Sequence, residues 1–330
     1  MAADSLVGGV YNELSEASQN LIDFFLNDTV DGVVTTTEVG SGTLIVGEGS
    51  GGTTQGVLIS SAGQVVTGEV DAGGLTLTIA LPPGVSFVFD GTSEPVSAEE
   101  ADAYLAGLIE SAFPDPANPE RVTLEKAIAE LLDALGGTGE TMSVKVIGLI
   151  DESSGSSLAQ ADGPNDVVFQ GTNASELLTF VMSQVDSGKT LVLKDVQGAL
   201  LVGDGSVRID DENGTLVFGD LSNQDITGGT GADTLVGGGG ADTLTGGGDS
   251  DVFGVNSAFG SLTFTDFDVA NDKLAFLFAG IESWSDVAPH FTGLTQDDTG
   301  VTAHFGNNTS ITFVGVTAEE LTIDILTFNV

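Results

Sequence analysis

Residues 228–254 read GGTGADTLVGGGGADTLTGGGDSDVFG, three consecutive units of nine residues. Each unit opens on glycine, carries aspartate at its sixth position (Asp233, Asp242, Asp251) and a large apolar residue at its eighth (Leu235, Leu244, Phe253). A unit this short cannot bury its own apolar side chain, so neighbouring units must stack and share one core. The first six residues of each unit supply a turn. The last three supply a short strand whose eighth-position side chain points into the stack. The spacing continues upstream, where Leu191, Leu200, Ile209, Val217 and Ile226 follow one another at intervals of eight to ten residues. A parallel β-roll or β-solenoid is therefore predicted from about residue 189, with early rungs that lack glycine turns.

The turns also carry a chemistry. Gly229, Gly231, Gly238, Gly240 and Gly247 allow a bend tight enough to aim carbonyl oxygens at one ion, and the aspartates add charge. Calcium is the expected ion, because it accepts about six to eight hard oxygen ligands in flexible geometry. Two units make one full turn of the stack, so the first and third lie on the same side. The predicted ion sits between turns 228–233 and 246–251, with Asp233 and Asp251 as side-chain ligands and Asp249 as an extra carboxylate. Asp242 falls on the opposite side, between GDLSNQ (219–224) and VNSAFG (255–260), neither of which fits the pattern. A second site there would draw on Asp220 or Asn223.

These units resemble the RTX family, the hemolysin-type calcium-binding repeat proteins. The resemblance extends to SLTFTDFDVANDKLAFL (261–277), which is similar to the segment that follows such repeats, with Asp266 and Asp272 in its acidic positions. The final TSITFVGVTAEELTIDILTFNV resembles the family's last hairpin and apolar C-terminus, so residues 219–330 carry the likeness. It implies calcium as the bound ion and export by a type I secretion machinery that reads an uncleaved C-terminal signal. It also implies a chain that stays unfolded where calcium is scarce and folds outside the cell.

Composition agrees with that physics. The net charge is −42, from 49 acidic against 7 basic side chains, which repels nucleic acid and anionic membrane and attracts cations. Carboxylates that repel one another until calcium neutralises them convert binding free energy into folding free energy. There is no cysteine, so disulfides and thiolate metal sites are excluded. The opening MAADSLVGGVYNELSEASQ has neither the basic nor the apolar region of a Sec signal, and no stretch reaches the roughly 18 apolar residues of a membrane span.

The whole chain reads as mainly β. Residues 1–30 hold an amphipathic helix, with Val10, Leu14, Ala17, Leu21 and Phe25 on one face. Residues 31–186 form a β-rich domain with helices near 97–113, 123–135 and 173–185, the first two as a hairpin insertion. The roll follows at 187–260, and a C-terminal β cap with the secretion signal at 261–330.

No catalytic signature emerges from this pattern. The zinc-protease motif is absent and the first histidine is His290; GEGSG (47–51) and GDGSV (203–207) miss the spacing of a serine-hydrolase elbow. His290 and His304 both sit in strand-like sequence, and aromatic residues make up only 6%, few for a sugar cleft. The expectation is a non-enzymatic, secreted, calcium-binding structural or adhesive protein of the bacterial surface or matrix. It would self-associate into a homo-oligomer or filament through exposed strand edges. A hydrolase or toxin with an unrecognised carboxylate site, or a carbohydrate-binding module, stands as the alternative.

Overall fold

The computed structural model describes residues 16–25, 34–49, 52–60, 64–135, 141–152, 165–172, 175–182, 185, 188–277 and 281–328. The chain forms two compact units: residues 1–101 with 138–196, and residues 102–137 with 197–330. Both are mainly β. Among the described residues no helix is long and apolar enough to cross a membrane.

The first unit begins with helix α1 (Glu16–Phe25), which packs on strands of the sheet through its buried Ile22. Its strands are β1 (Thr35–Val39), β2 (Gly42–Glu48), β3 (Thr53–Ser60), β4 (Val66–Asp71), β5 (Thr76–Leu81), β6 (Val85–Thr92), β7 (Val96–Ser97), β8 (Thr141–Asp151), β9 (Asp166–Gln170), β10 (Glu176–Val181) and β11 (Thr190–Lys194). One sheet runs β1-β2-β3-β6-β8-β10 and the other β4-β5-β9-β11. Pairing is antiparallel up to β8 and β9, then parallel at β8–β10 and β9–β11. Every residue of β6 is buried, as are ten of the eleven of β8, which matches their continuous apolar runs. Phe87, Phe169 and Phe180 fill the core edge to face, with centroids 5.3 and 5.2 Å apart.

The segment expected to be a helix at 173–185 is instead β10. ELLTFV is a short apolar run buried along five of its six residues, and with no exposed face it carries no readable period. Residues 173–174 and 183–184 of that segment lie outside the described residues. So do 1–15 and 26–30 of the N-terminal helix region.

Helix α2 (Ala98–Ala112) starts at a reciprocal capping box. Ser97 N donates to Glu100 Oε2 at 2.9 Å, and Glu100 N donates to Ser97 Oγ at 3.3 Å. Helix α3 spans Pro119–Leu135, one turn longer at its start than the expected 123–135. Asn118 Oδ1 accepts from Glu120 N at 2.8 Å and Arg121 N at 3.4 Å, so the Asn-Pro pair sets the first turn. The expected division at 186 does not hold for the helical hairpin, since 102–137 belong with the second unit. The cause is apolar packing: α3 buries Leu124, Ile128, Leu131 and Leu135 and lies against two strands of that unit.

Those strands are β12 (Gly198–Val202) and β14 (Leu216–Phe218); the others are β13 (Gly205–Ile209), β15 (Gln224–Thr227), β16 (Thr234–Val236), β17 (Ala241–Thr245), β18 (Val252–Val255), β19 (Ser261–Phe264), β20 (Lys273–Phe276), β21 (Phe291–Gln296), β22 (Gly300–Phe305), β23 (Ser310–Val314) and β24 (Leu326–Phe328), with a short helix α4 (Trp284–Val287). They alternate between two sheets, β12-β14-β16-β18-β20-β24 and β13-β15-β17-β19-β23-β22-β21. All pairs are parallel except β21–β22 and β22–β23. Val217, Leu235 and Phe253 pair in direct register, as do Ile226 and Leu244, and all five are buried. Residues 261–330 are not set apart as a domain, because β19, β20, β23 and β24 continue the same two sheets.

Candidate metal centre

The nine-residue turns lie at the ends of these short strands and stack along the sheets. On one side, Thr215, Asp233, Asp251 and Asp272 form a ladder in which each main-chain N–H donates to the next carboxylate. Thr215 N meets Asp233 Oδ1 at 2.8 Å, Asp233 N meets Asp251 Oδ1 at 2.9 Å, and Asp251 N meets Asp272 Oδ1 at 3.0 Å. Neighbouring rungs of a sheet are about 4.8 Å apart, so the carboxylates are stacked like the strands. Asp233 Oδ2 also accepts from Gly229 N, and Asp272 Oδ2 from Asp268 N. Asp266 accepts from Gly246 N and Gly247 N at 2.8 and 2.9 Å.

The opposite side carries a shorter version. Gln224 N donates to Asp242 Oδ1 at 2.9 Å, and Asn223 Oδ1 accepts from Ala241 N. Asp220 is saturated with donors: Gly203 N, Ser222 N and Oγ, and Gln224 Nε2. On the strand side Asp242 pairs with Leu262, so its ladder ends where the other continues into Asp272. Asp249 is exposed, with a left-handed φ of 61°, and stands close enough to Asp251 to disfavour its charge.

Glycine is required where the turns approach most closely. Gly238 and Gly247, each second in its unit, have φ of +89° and +99°, and a Cβ there would stand 2.1 Å from Asp220 O and 2.2 Å from Gly229 O. A Cβ on Gly231 or Gly240 would likewise press on the main chain of the turn beneath, at Asn213 and Ser222.

Burial sets the electrostatics of the aspartates. It pushes Asp233 up to about 7 although Thr215 and Gly229 N–H groups favour the charged form, and Asp251 and Asp211 add repulsion. Burial lifts Asp242 to about 8 against the Gln224 N–H, with Asp220 and Asp204 raising it further. Asp251 reaches about 6 for the same reason, and Asp272 is raised as well, burial leading in both. A carboxylate in such surroundings needs either a proton or a cation.

The turns fit a hard cation. Asp242 Oδ2 is buried without a hydrogen-bond partner. The first glycine of each turn faces oxygen: a Cβ on Gly228 would meet Gly246 O at 2.0 Å and Asp233 Oδ2 at 2.7 Å, and one on Gly237 would meet Asp242 Oδ2 at 2.5 Å. Among the described residues no three His, Cys, Asp or Glu side chains converge on one point. Each repeat turn supplies one buried carboxylate, with the exposed Asp249 as an extra one in the third, and main-chain carbonyls lie nearby. Oxygen-only donors in an irregular bend suit calcium.

A stack of nine-residue turns with buried aspartates defines a repeat calcium binder of the β-roll type. Residues 218–253 match the family model of the RTX calcium-binding nonapeptide repeat, in four copies. Residues 218–253 of the chain thus form an RTX-type calcium-binding repeat segment. No curated protein matches the chain. The additional copy lies just before the three units legible in the sequence, at GDLSNQDIT (219–227). It hides because Gln224 holds position six and the carboxylate has moved to position two, as Asp220. Ile226 at position eight was the signal that marked it.

Proposed function

We propose that this is a secreted structural or adhesive protein of the bacterial cell surface or matrix, non-catalytic, whose roll folds on binding calcium and then self-associates. The observation that carries the reading is the stack of buried, repelling aspartates at 233, 251 and 272, with Asp242 opposite. In this reading Asp233 and Asp251, with carbonyls of turns 228–233 and 246–251, hold one ion, and Asp242 belongs to a second. Asp266 and Asp272 extend the series beyond the repeats, and residues 261–330 close the solenoid and carry the export signal. Calcium supplies the positive charge that lets these carboxylates stay ionised inside the fold; the turns orient them and exclude water. Where calcium is scarce the ladder disfavours folding, which suits a chain exported unfolded by a type I machinery.

Self-association is supported by the sheet ends. The two sheets of the second unit finish on β21 and β24, and an unpaired edge is a template for another chain. Leu294 of β21 and Ile323 near β24 are exposed apolar residues in the same region of the chain. Circular dichroism and light scattering with calcium and then with excess chelator test the proposal. Chelation should lower the β signal and shrink the particle; if both stay unchanged, calcium-dependent folding and assembly are refuted.

A further inference from the structure

The second unit holds a cavity that the calcium chemistry does not use. Its volume is about 210 Å³, and it opens to solvent between the loop after β18, strand β20, helix α4 and the turn from β22 to β23. The floor is apolar. Phe276 of β20, Val287 of α4 and Phe305 of β22 are buried, and Phe259 is half-buried beside them. Phe305 meets Phe259 and Phe276 edge to face, with centroids 5.5 and 6.3 Å away, so the rings hold one another in place before any ligand arrives.

The mouth is polar. Ser257 and His290 are exposed there and Thr309 is half-buried. Lys126 reaches over from α3, its Nζ donating to Ser257 Oγ at 2.9 Å. A hydroxyl that accepts from an ammonium keeps its own proton for another acceptor, and the ammonium keeps two further N–H groups. Thr309 Oγ1 already donates to Gly306 O at 3.0 Å. None of the described residues that line the cavity is acidic, although the chain carries 49 Asp and Glu. Glu130, one turn along α3, feels Lys126 but is not part of the lining.

These features select among ligands. A cation finds no carboxylate in the lining. A sugar carries hydroxyls on every edge, and this floor of hydrocarbon would leave half of them without partners. A wholly apolar molecule would cover the mouth and strand the Ser257 proton. The fit is a compact apolar body with an acceptor at one end. We propose that the cavity binds a small monocarboxylate with an aromatic or branched apolar body, its hydrocarbon on Phe259, Phe276 and Phe305 and its carboxylate on Lys126 and Ser257. The volume equals that of about seven waters, which suits one ring with a short acidic arm. Apolar burial supplies the affinity, and the charge-assisted bonds set the orientation. The inference is independent of the calcium reading and gives the protein a second kind of ligand.

The test uses the full chain with calcium present and phenylpropionate as the probe, followed by calorimetry and by amide chemical shifts. One molecule should bind per chain and move the amides of 257–259, 276 and 305–309, leaving turns 228–251 unmoved. Lys126→Met keeps an apolar stem and removes the charge; affinity for the acid should fall at least tenfold, and Lys126→Arg should restore most of it. Phenylpropanol, with the ring but no charge, should bind at least tenfold more weakly than the acid and be indifferent to Lys126→Met. Phe259→Ala should weaken both probes. If Lys126→Met binds the acid as the unmutated chain does, if glucose binds as tightly as the acid, or if the acid moves only the repeat turns, the proposal falls. It falls equally if the acid does not bind, and each of these results leaves the calcium reading of the repeats standing.

Discussion

The two units bury charge in opposite ways. In the first, Lys145 of β8 is fully buried, donates to Thr92 O, and has Asp90 and Asp71 as its electrostatic neighbours. In the second, the buried Asp233 feels Asp251 and Asp211, and Asp242 feels Asp220 and Asp204. One unit supplies its own countercharge. The other adds like charge to like. On the calcium reading proposed above, dependence on the ion is expected to reside in the roll, although the −42 charge belongs to the whole chain.

The largest expected effect breaks the comparison with protons. The roll aspartates have folded-state values above their ordinary one, about 7, 8 and 6 at 233, 242 and 251. Their contribution favours folding fully below about 4 and is lost as pH rises through 6 to 8. Without calcium, the roll should be more stable at pH 5 than at pH 8, by an amount on the order of several kcal/mol. Hydrogen exchange of 197–328 in chelator at both values measures this, and equal protection would show that the buried carboxylates do not govern the roll.

Next in size is the response of Lys145, which burial pushes down to about 8 despite the attraction of Asp90 and Asp71. Between about 8 and 10 the unfolded chain keeps a proton that the fold has released, so stability of the first unit should rise with pH across that window. The gain is about 3 kcal/mol at most, and Lys145→Met should flatten it in urea unfolding followed by exchange of β6 and β8. A profile of the same slope in the variant would show that another group titrates.

The smallest effect separates the two sides of the roll. Asp251→Ala strands Asp233 N–H, at about 1–3 kcal/mol, and removes the middle of a ladder that runs from Thr215 to Asp272. Asp242→Ala acts on a ladder that ends at Leu262. Calcium affinity should therefore fall further in Asp233→Ala and Asp251→Ala than in Asp242→Ala. Equal losses in calorimetry would mean that the two sides are equivalent.

Much of this was legible in consecutive residues. The repeat period placed Leu235, Leu244 and Phe253 in the core, and the helix expected near 97–113 is α2. Two features were not. ELLTFV, expected to be helical, is a strand because its neighbours bury both faces. The first repeat conceals itself behind Gln224.

The sequence by itself determined the rung and the ion. A nine-residue period with one inward apolar residue permits only a stack, and turns made of glycine and aspartate offer only hard oxygen. Tertiary structure decided which carboxylates share a rung column, where the ladder stops, and that α3 joins the roll. These depend on how many residues each connection consumes and on which apolar faces remain to be covered. Both are properties of the assembled sheets, not of any one unit.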